Sequence, residues 1–377
     1  MYYSRKLKEI IKSNLYKGKI IVLFGARRTG KTTLVKELVT ESEVKAAYIN
    51  CDLFQYRSVL SSMDHILLKD LLGNNKLVVL DEAQQIENIG LTLKIIADTF
   101  PEIQIIATGS SSFDLSNKIS EPLTGRSRKY MLMPISIEEL HGEHNLVDIR
   151  AMLSSFLKFG FYPQVLNASG DEKIEEINEI SSNYLYKDLL QFESIKKPEL
   201  IFNLLKAVAL QLGCESSLNE LSQLTGTSVH TVKRYLDLLE KSFVIFRLTS
   251  FSRNLRKEIN KSQKIYFYDT GVRNAVVQNF NNPELRNDIG GLWENFCITE
   301  RMKYNHYNRR FVNSYFWRTY DQKEIDYIEE QNGVLTCFEF KYSSKKVKKV
   351  PKEFIETYPD STFKTITPDN FYELIEV

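Results

Sequence analysis

The chain has 377 residues, which at about 150 residues per domain suggests two or three domains. Its 50 Lys and Arg residues almost balance its 48 Asp and Glu residues, so the chain as a whole is not a polycation. Hydrophobic residues make up 43% and charged residues 26%, which is typical of a globular protein and excludes a disordered chain.

The apolar runs and the cysteines exclude further classes of protein. The longest apolar runs, such as residues 20–24 and 77–80, are far shorter than the roughly 18 residues that a membrane span needs. The first residues, MYYSRKLKEIIKSNL, contain no continuous signal-peptide core. The four cysteines form no C-x-x-C pair, which argues against a disulfide framework and a zinc knuckle. We therefore expect a reduced, cytoplasmic, multidomain protein without a membrane partner.

Residues 1–145 alternate between short apolar runs and helical patterns. The apolar runs predict strands at 19–24, 46–49, 76–80 and 103–107, and helical spacing covers 7–11 and 31–39. Strands separated by helices in this way predict an α/β domain with a mainly parallel, doubly wound sheet.

Between the first strand and the next helix, residues 25–32 read GARRTGKT, which fits G-x-x-x-x-G-K-[ST] without a mismatch. Glycines let the backbone turn tightly, so that its N–H groups point at a phosphate, and the helix that follows adds its positive end. We expect Lys31 to act catalytically on the β- and γ-phosphate oxygens and Thr32 to ligate Mg²⁺. The predicted ATP-binding residues of this loop are Gly25, Ala26, Arg27, Arg28, Thr29, Gly30, Lys31, Thr32 and Thr33.

A second strand end supports the same site. The segment KLVVLDEAQQ places Asp81 and Glu82 directly after an apolar strand, about fifty residues beyond Lys31. We assign Asp81 to Mg²⁺ and Glu82 to the general base that orients or deprotonates the attacking water. An acidic turn at a strand end is common by itself, but it is unlikely beside a phosphate-binding loop.

Two further residues are candidates for the same reaction. The third strand, IQIIATGSSS, ends in hydroxyl groups, and Thr108 or Ser110 could contact the γ-phosphate, although a serine run is more often a simple turn. Arg126, in LTGRSRKYML, is a candidate cation for the transition state, in cis or across a subunit interface. Surface arginines are far commoner than arginines with that role.

The rest of the chain changes character twice. From about 146 to 210 the pattern is helical. Residues 217–241 predict two helices joined by a turn at Gly226, and FVIFRLTSF and KIYFYDTGV then predict a hairpin, which together make a winged helix-turn-helix. A helix at 292–304 and strands at 314–318, 323–328 and 335–341 follow.

These segments, in this order, resemble prokaryotic AAA-type ATPases that join an N-terminal ATPase to a C-terminal domain of unassigned function. The resemblance rests on GARRTGKTTL, VVLDEAQQ, IIATGSSS, LTGRSRKYMLMPISIEEL, FGFYPQVL, YLYKDLL, YDTGVRNAV, GGLWENFCITERM, YFWRTYDQKEIDYI and FEFKYSS. It implies an ATPase of the additional-strand, catalytic-glutamate class, a winged-helix connector and a nuclease-like C-terminal fold. We expect a P-loop NTPase domain at 1–145, a helical linker at 146–210, a winged helix at 211–278 and a small α/β nuclease-like domain at 279–377.

The last domain carries a pattern similar to that of PD-(D/E)-x-K nucleases. Residues two apart on a strand share a face, so Glu339 and Lys341 point the same way, and a hairpin turning at 331–333 brings Asp326 alongside Glu339. Such carboxylates can bind Mg²⁺ while the lysine activates water, and Glu294 is the plausible outer ligand. Taken alone, the pattern fits an ordinary exposed hairpin face better than a nuclease site; the resemblance favours the nuclease-like fold, and nuclease activity stays open.

Local charge favours a nucleic-acid partner, although a lysine run is also typical of a solvated surface and a winged helix often binds protein. Residues 341–352 hold six lysines and no acid, and residues 253–264 hold five basic residues and one acid. Candidates for groove contact in the second winged-helix helix are Ser228, His230, Thr231, Lys233 and Arg234. The expected function is Mg²⁺-dependent ATP hydrolysis coupled to a C-terminal half that acts on DNA. The alternative is a nucleotide-gated regulator or scaffold that binds DNA or protein without cleaving; a homo-oligomer or protein partner is possible in either case.

Overall fold

The computed structural model describes residues 2–109, 122–190, 198–251, 263–319, 321, 323–343 and 350–376, with the backbone alone for 183–190 and 198. The chain divides into two compact units. The N-terminal unit comprises Tyr2–Pro134 with Lys241–Phe243, and the C-terminal unit comprises Ile135–Glu240 with Val244–Val377. No helix in the described ranges is long and apolar enough to cross a membrane.

The N-terminal unit alternates helices and strands. In chain order they are α1 (Lys6–Lys12), β1 (Ile20–Phe24), α2 (Lys31–Thr40), β2 (Ala46–Asn50), α3 (Phe54–Ser62), α4 (His65–Leu72), β3 (Leu77–Asp81), α5 (Ile89–Thr99), β4 (Gln104–Gly109) and β5 (Ser127–Met131). The five strands form one parallel sheet in the order β2-β3-β4-β1-β5. This order confirms the predicted α/β sheet. Strand β4 lies between β1 and β3 in the sheet.

Alternating side chains of the buried strands supply the core of this unit. Val22, Phe24, Val78 and Leu80 pack in one cluster with apolar residues of α3, α4 and α5. Because successive strand residues point to opposite faces, the intervening side chains face the other way, toward the side where α2 contacts the sheet. The sequence analysis missed β5, since SRKYM is a polar strand at the sheet edge and lacks a buried pattern.

The C-terminal unit begins with helices and continues as a mixed sheet. Its elements are α6 (Ile137–His141), α7 (Leu146–Phe159), α8 (Pro163–Asn167), α9 (Glu172–Leu190), α10 (Pro198–Leu210), β6 (Glu215–Ser216), α11 (Leu218–Thr225), α12 (Val229–Lys241), β7 (Ile245–Ser250), β8 (Gln263–Phe267), α13 (Thr270–Val277), α14 (Ile289–Tyr307), β9 (Asn313–Arg318), β10 (Glu324–Gln331), β11 (Val334–Phe340), α15 (Lys352–Thr357) and β12 (Thr362–Ile366).

All strands of this unit belong to one seven-stranded sheet, in the order β12-β11-β10-β9-β7-β8-β6. Strands β9, β10 and β11 form an antiparallel meander, and β12 adds to it in parallel. Strand β7 pairs with β8 in antiparallel fashion and with β9 in parallel, Thr249 lying opposite Tyr315. The boundary expected near residue 278 therefore falls between strands that share a single sheet.

Two of the motifs that carry the resemblance meet inside this unit. Gly160 ends α7 with φ of 76°, and a Cβ there would lie 2.0 Å from Oδ1 of Asp269. The Asp269 carboxylate accepts hydrogen bonds from the backbone N–H of Phe161 at 2.7 Å and of Val272 at 3.1 Å. FGFYPQVL and YDTGVRNAV thus form a structural joint between α7 and α13.

Candidate functional site

The glycine-rich loop leaves β1 in a conformation that its glycines require. Gly25 has φ of 153°, and a Cβ added there would lie 2.2 Å from the carbonyl oxygen of Leu132, so no larger residue fits. Gly30 has φ of 97° and precedes the first turn of α2. The structure therefore places the loop between β1 and the start of α2, as the motif predicts.

Lys31 and Arg5 hold the loop from two sides. Lys31 is 5% exposed, and its Nζ donates to the carbonyl oxygens of Gly25 and Ala26 at 2.8 Å each. Arg5, also buried, donates from Nη1 to the carbonyl oxygen of Thr29 and from Nη2 to that of Met133, both at 2.6 Å. The sequence analysis missed Arg5, because nothing near it in the sequence signals this contact.

Asp81 collects three hydroxyl groups at the carboxyl end of β3. Its Oδ2 accepts hydrogen bonds from Thr32 Oγ1 at 2.8 Å and from the Tyr48 hydroxyl at 2.6 Å. Its Oδ1 accepts one from Thr108 Oγ1. Tyr48 lies on β2 and Thr108 on β4, the two strands that flank β3. Burial, and then the hydrogen bond to Asp81, raise the pKa of Tyr48, so its phenol remains a donor.

These oxygen donors fit the cation that the motif implies. Thr32 and Asp81, predicted from separate motifs, are in direct contact. Hydroxyl and carboxylate oxygens are the groups that Mg²⁺ takes from a protein alongside phosphate oxygens and water. The backbone cradle of the loop lies directly before Thr32 in the chain, so a phosphate and a magnesium ion have their ligands side by side.

Glu82, the predicted general base, lies at the same sheet edge. Its backbone is left-handed, with φ of 56°, which is uncommon for a residue that is not glycine and recurs at functional sites. Its N–H donates to Thr108 Oγ1 at 3.1 Å, and Gln84 donates to its carboxylate. Thr108 therefore orients both acidic residues, and it is the member of the predicted hydroxyl pair that the structure places at the site.

Arg126, a further candidate for the nucleotide site, is not brought to the glycine-rich loop within this chain. Arg126 precedes β5, and the pairing of Ile20 with Ser127 puts it at the amino end of the sheet. The glycine-rich loop lies at the carboxyl end, about 17 Å away along a five-residue strand. Nε of Arg126 donates instead to Asp98 at 2.9 Å. Ser110 lies outside the described residues.

The predicted hairpin of the C-terminal unit has the expected register. Tyr327 pairs with Phe338, which puts Asp326 opposite Glu339. Lys341 Nζ lies 2.6 Å from Glu339 Oε1 and 3.3 Å from Asp326 Oδ2. Burial alone would lower the pKa of Lys341, but the two carboxylates outweigh it and raise that pKa. The structure thus brings together the three residues of the motif.

Two residues that were not predicted as part of this site, Lys264 and Glu324, complete the cluster, and Tyr266 contacts it. Lys264 Nζ lies 2.9 Å from Glu294 Oε1 and forms a second ion pair with Glu324. The Tyr266 hydroxyl also donates to Glu294. Burial raises the pKa of Glu294, and the nearby charge of Asp326 adds to the rise, while Lys264 and Tyr266 oppose it. We call Glu294, Glu324, Asp326, Glu339, Lys264 and Lys341 the acidic cluster.

The side chains of the acidic cluster surround two ammonium groups. In the described parts of the chain, no group of three or more His, Cys, Asp or Glu residues is arranged to hold a metal ion. The predicted ligands Glu294, Asp326 and Glu339 are therefore not gathered as three ligands of one ion in this arrangement.

The predicted nucleic-acid surfaces are described in part. Among the candidates for groove contact on or just before α12, Thr231 is half-buried and the others are exposed; the exposed ones are Ser228, His230, Lys233 and Arg234. Residues 252–262 and 344–349, which hold most of the two basic stretches, lie outside the described residues. Lys264, counted in the first stretch, is buried and is not part of a surface.

Comparison with known families assigns the first third of the chain. Residues 17–141 match a family described as "AAA domain". The N-terminal unit of this chain has the fold of a P-loop NTPase. Residues 150–283 and 289–370 match two families, each described as a domain of unknown function (DUF8612 and DUF4143).

Full-length relatives have no assigned activity. An uncharacterized protein of Methanocaldococcus jannaschii is 27% identical, covering 97% of this chain and 88% of the relative. An uncharacterized protein of Mycobacterium tuberculosis is 26% identical over 88% of this chain and 72% of the relative.

Among solved structures, the Thermotoga maritima RuvB Holliday junction branch migration motor matches with a TM-score of 0.32 and 14% identity, covering 65% of this chain and 90% of that chain. Pif1 helicase from Candida albicans matches with a TM-score of 0.26 and 15% identity, over 48% of each chain.

Proposed function

We propose that this protein is a Mg²⁺-dependent ATPase whose N-terminal unit binds and hydrolyses ATP. One observation carries the proposal: Thr32, at the end of the glycine-rich loop, contacts Asp81 at the end of β3. The two residues come from motifs 49 positions apart, and their contact is the one that a shared magnesium ion requires.

The residues of the site divide the chemistry between them. Backbone N–H groups of residues 25–33 receive the phosphates, and Lys31 leaves the loop carbonyl oxygens for the β- and γ-phosphate oxygens. Thr32 and Asp81 would hold a magnesium ion, which would neutralise the developing negative charge. Glu82 accepts a proton from the attacking water or orients it, and Thr108 holds Glu82 in place through its backbone. An arginine at position 126 would have to act across an interface between two copies of the chain.

We further propose that ATP hydrolysis controls binding of the C-terminal unit to DNA. The order α10, β6, α11, α12, β7, β8 is the order of elements in a winged helix, and β6, β8 and β7 form its small sheet. The exposed side chains at the start of α12 suit a groove of DNA. Of the two roles left open for the nuclease-like part, the engagement of each of its carboxylates by a lysine favours binding without cleavage.

The test is phosphate release from Mg-ATP by the purified protein, with and without duplex DNA. We expect turnover to fall at least a hundredfold in Lys31→Ala and in Glu82→Gln, because each removes transition-state stabilisation or base catalysis. Glu82→Gln should still bind ATP, whereas Lys31→Ala should bind it weakly. Lys45→Ala, the same change at an exposed lysine outside the loop, should be as active as the wild type.

The DNA arm uses the double variant Lys233→Ala/Arg234→Ala. Turnover that rises with DNA in the wild type and not in this variant supports the winged-helix role. Turnover that is equal in the wild type and Glu82→Gln would remove Glu82 from catalysis.

A further inference from the structure

The acidic cluster contains a lysine that the nuclease-like pattern does not include. Lys264 lies on β8, ahead of α14 and the meander, and its side chain is 1% exposed. Its ammonium group contacts Glu294 and Glu324 and lies 5.5 Å from the centre of the Phe316 ring. A lysine is almost never buried to this degree unless its charge is paired.

The position of Lys264 excludes contact with a substrate. A side chain that is 1% exposed cannot reach a phosphodiester that approaches from solvent. Its neighbours also do not leave it free to move, because Glu294 is held at the same time by the Tyr266 hydroxyl. Lys264 therefore acts on the carboxylates of the cluster and not on a ligand.

An ammonium group at this place competes with a divalent cation. The Nζ atom lies 2.9 Å from Glu294 Oε1, and a magnesium ion would have to take the same oxygen at about 2.0–2.1 Å. Two cations a few ångströms apart in a buried site repel each other strongly. Lys341 covers Glu339 and Asp326 in the same way, so each carboxylate of the cluster already contacts an ammonium group.

The acidic cluster is accessible to metal ions from solvent. A cavity of about 340 Å³ opens beside the cluster and is lined in part by Glu324, Glu339 and Lys364. Hydrated cations can therefore approach from solvent, and the charge arrangement alone decides whether they bind.

We propose that Lys264 is the resident cation of the acidic cluster, in the place where a metallonuclease would hold a divalent metal. The C-terminal unit then binds no divalent cation at Glu294, Glu324, Asp326 and Glu339 and cleaves no phosphodiester there. This assignment does not depend on whether the N-terminal unit hydrolyses ATP.

The test measures Mn²⁺ binding by the full-length, nucleotide-free protein, followed by the loss of the free-ion signal in electron paramagnetic resonance. An Asp81→Asn background removes the metal ligand of the N-terminal unit. We expect no bound Mn²⁺ in this background and one bound ion per chain after Lys264→Met. Lys323→Met removes an exposed lysine that pairs with Glu353, and it should gain no ion.

The background protein decides the question even if Lys264→Met does not fold. Mn²⁺ bound by the background and lost on Glu339→Gln would overturn the proposal, as would Mg²⁺-dependent DNA cleavage by wild-type protein that Glu339→Gln abolishes. A folded Lys264→Met protein that gains no ion also contradicts it. Lys264→Met/Glu294→Gln removes one carboxylate of the cluster together with the ammonium group, and it should bind no ion.

Discussion

At the scale of single residues, the environment of Asp81 is the most informative feature of the nucleotide site. Its carboxylate accepts hydroxyl groups from Thr32, Tyr48 and Thr108. If Thr32 bound a magnesium ion, as proposed above, Tyr48 and Thr108 would remain to hold the carboxylate in place. Both residues lie on strands that neighbour β3, so the sheet, and not a bound ion, sets the orientation of the Asp81 carboxylate.

Tyr48→Phe should therefore weaken magnesium binding more than it weakens the fold. The ring keeps its packing and its contact with Lys36, and only the hydroxyl group is lost. A hydrogen bond to a charged group contributes about 1.5–3 kcal/mol, part of which solvent replaces here, so we expect a rise of at least about threefold in the Mg²⁺ concentration that half-saturates binding of a fluorescent ATP analogue.

Tyr56→Phe is the matched control, because Tyr56 packs against the same core away from Asp81. It should leave the magnesium titration unchanged. An equal magnesium dependence in Tyr48→Phe and wild type, together with a lower melting temperature, would mean that Tyr48 is structural only.

At the scale of elements, the ends of strands position candidate site residues, and the ends of helices contact one another. The carboxyl ends of β3 and β4 supply Asp81 and Thr108, since parallel strands end at one edge of the sheet. The Tyr48 hydroxyl reaches Asp81 from the middle of β2. In the C-terminal unit, the start of α13 meets the end of α7 through Asp269, and Thr270 Oγ1 donates to the carbonyl oxygen of Phe156 at 2.8 Å. The YDTG segment therefore serves packing.

Replacing Asp269 should destabilise the C-terminal unit. Asp269→Ala leaves two buried N–H groups, of Phe161 and Val272, without an acceptor, and it removes the cap of α13. We expect the free energy of unfolding to fall by about 2–4 kcal/mol, which is measured as a lower midpoint of urea unfolding. Asp269→Asn keeps one acceptor oxygen and should lose less.

Asp171→Ala serves as the comparison, because Asp171 is an exposed aspartate on the same unit. Because Asp171 directly precedes α9, its replacement should lower the free energy of unfolding by about 1 kcal/mol at most, less than the replacement of Asp269. An Asp269→Ala protein as stable as Asp171→Ala would show that the joint between α7 and α13 contributes little.

At the scale of the whole molecule, charge is nearly balanced and is organised in buried pairs. The formal net charge is +2, yet Arg273, Arg286 and Arg301 are buried with carboxylate partners. Asp288, just before α14, accepts Nε and Nη2 of Arg286 at 2.8 Å each and also pairs with Arg273. Burial would raise the pKa of Asp288, but the two arginines outweigh it and lower that pKa to about 2.

The interaction of Asp288 with the two arginines makes the stability of the fold depend on pH in a defined direction. A carboxyl whose pKa is lower in the folded state stabilises the fold above its unfolded pKa, and the contribution is lost as pH falls through the folded value of about 2. The shift corresponds to about 2 kcal/mol at neutral pH and to roughly half of that at pH 3. We expect urea unfolding to show that the difference in unfolding free energy between wild type and Asp288→Asn shrinks by about 1 kcal/mol from pH 7 to pH 3. A difference that stays constant with pH would assign the effect to lost packing.

The sequence determined those features that depend on residues close together in the chain. The strand, glycine turn and helix of residues 20–40 are encoded within one segment, and the hairpin of β10 and β11 follows from a turn at Asn332 and Gly333. Short apolar runs also predicted four of the five strands of the N-terminal sheet, because strands buried on both faces are continuously apolar.

Only the tertiary structure decided which distant residues meet. Arg5 reaches Thr29, Tyr48 reaches Asp81, and Lys264 reaches Glu294, and none of these pairs has a local pattern that announces it. The parallel pairing of β7 with β9, which joins two expected domains in one sheet, is of the same kind. Periodicity reports which face of an element is buried, whereas the partner of a buried polar group is chosen by how the elements pack. For that reason the sequence identified the motifs, and the fold decided which side chains hold them in place.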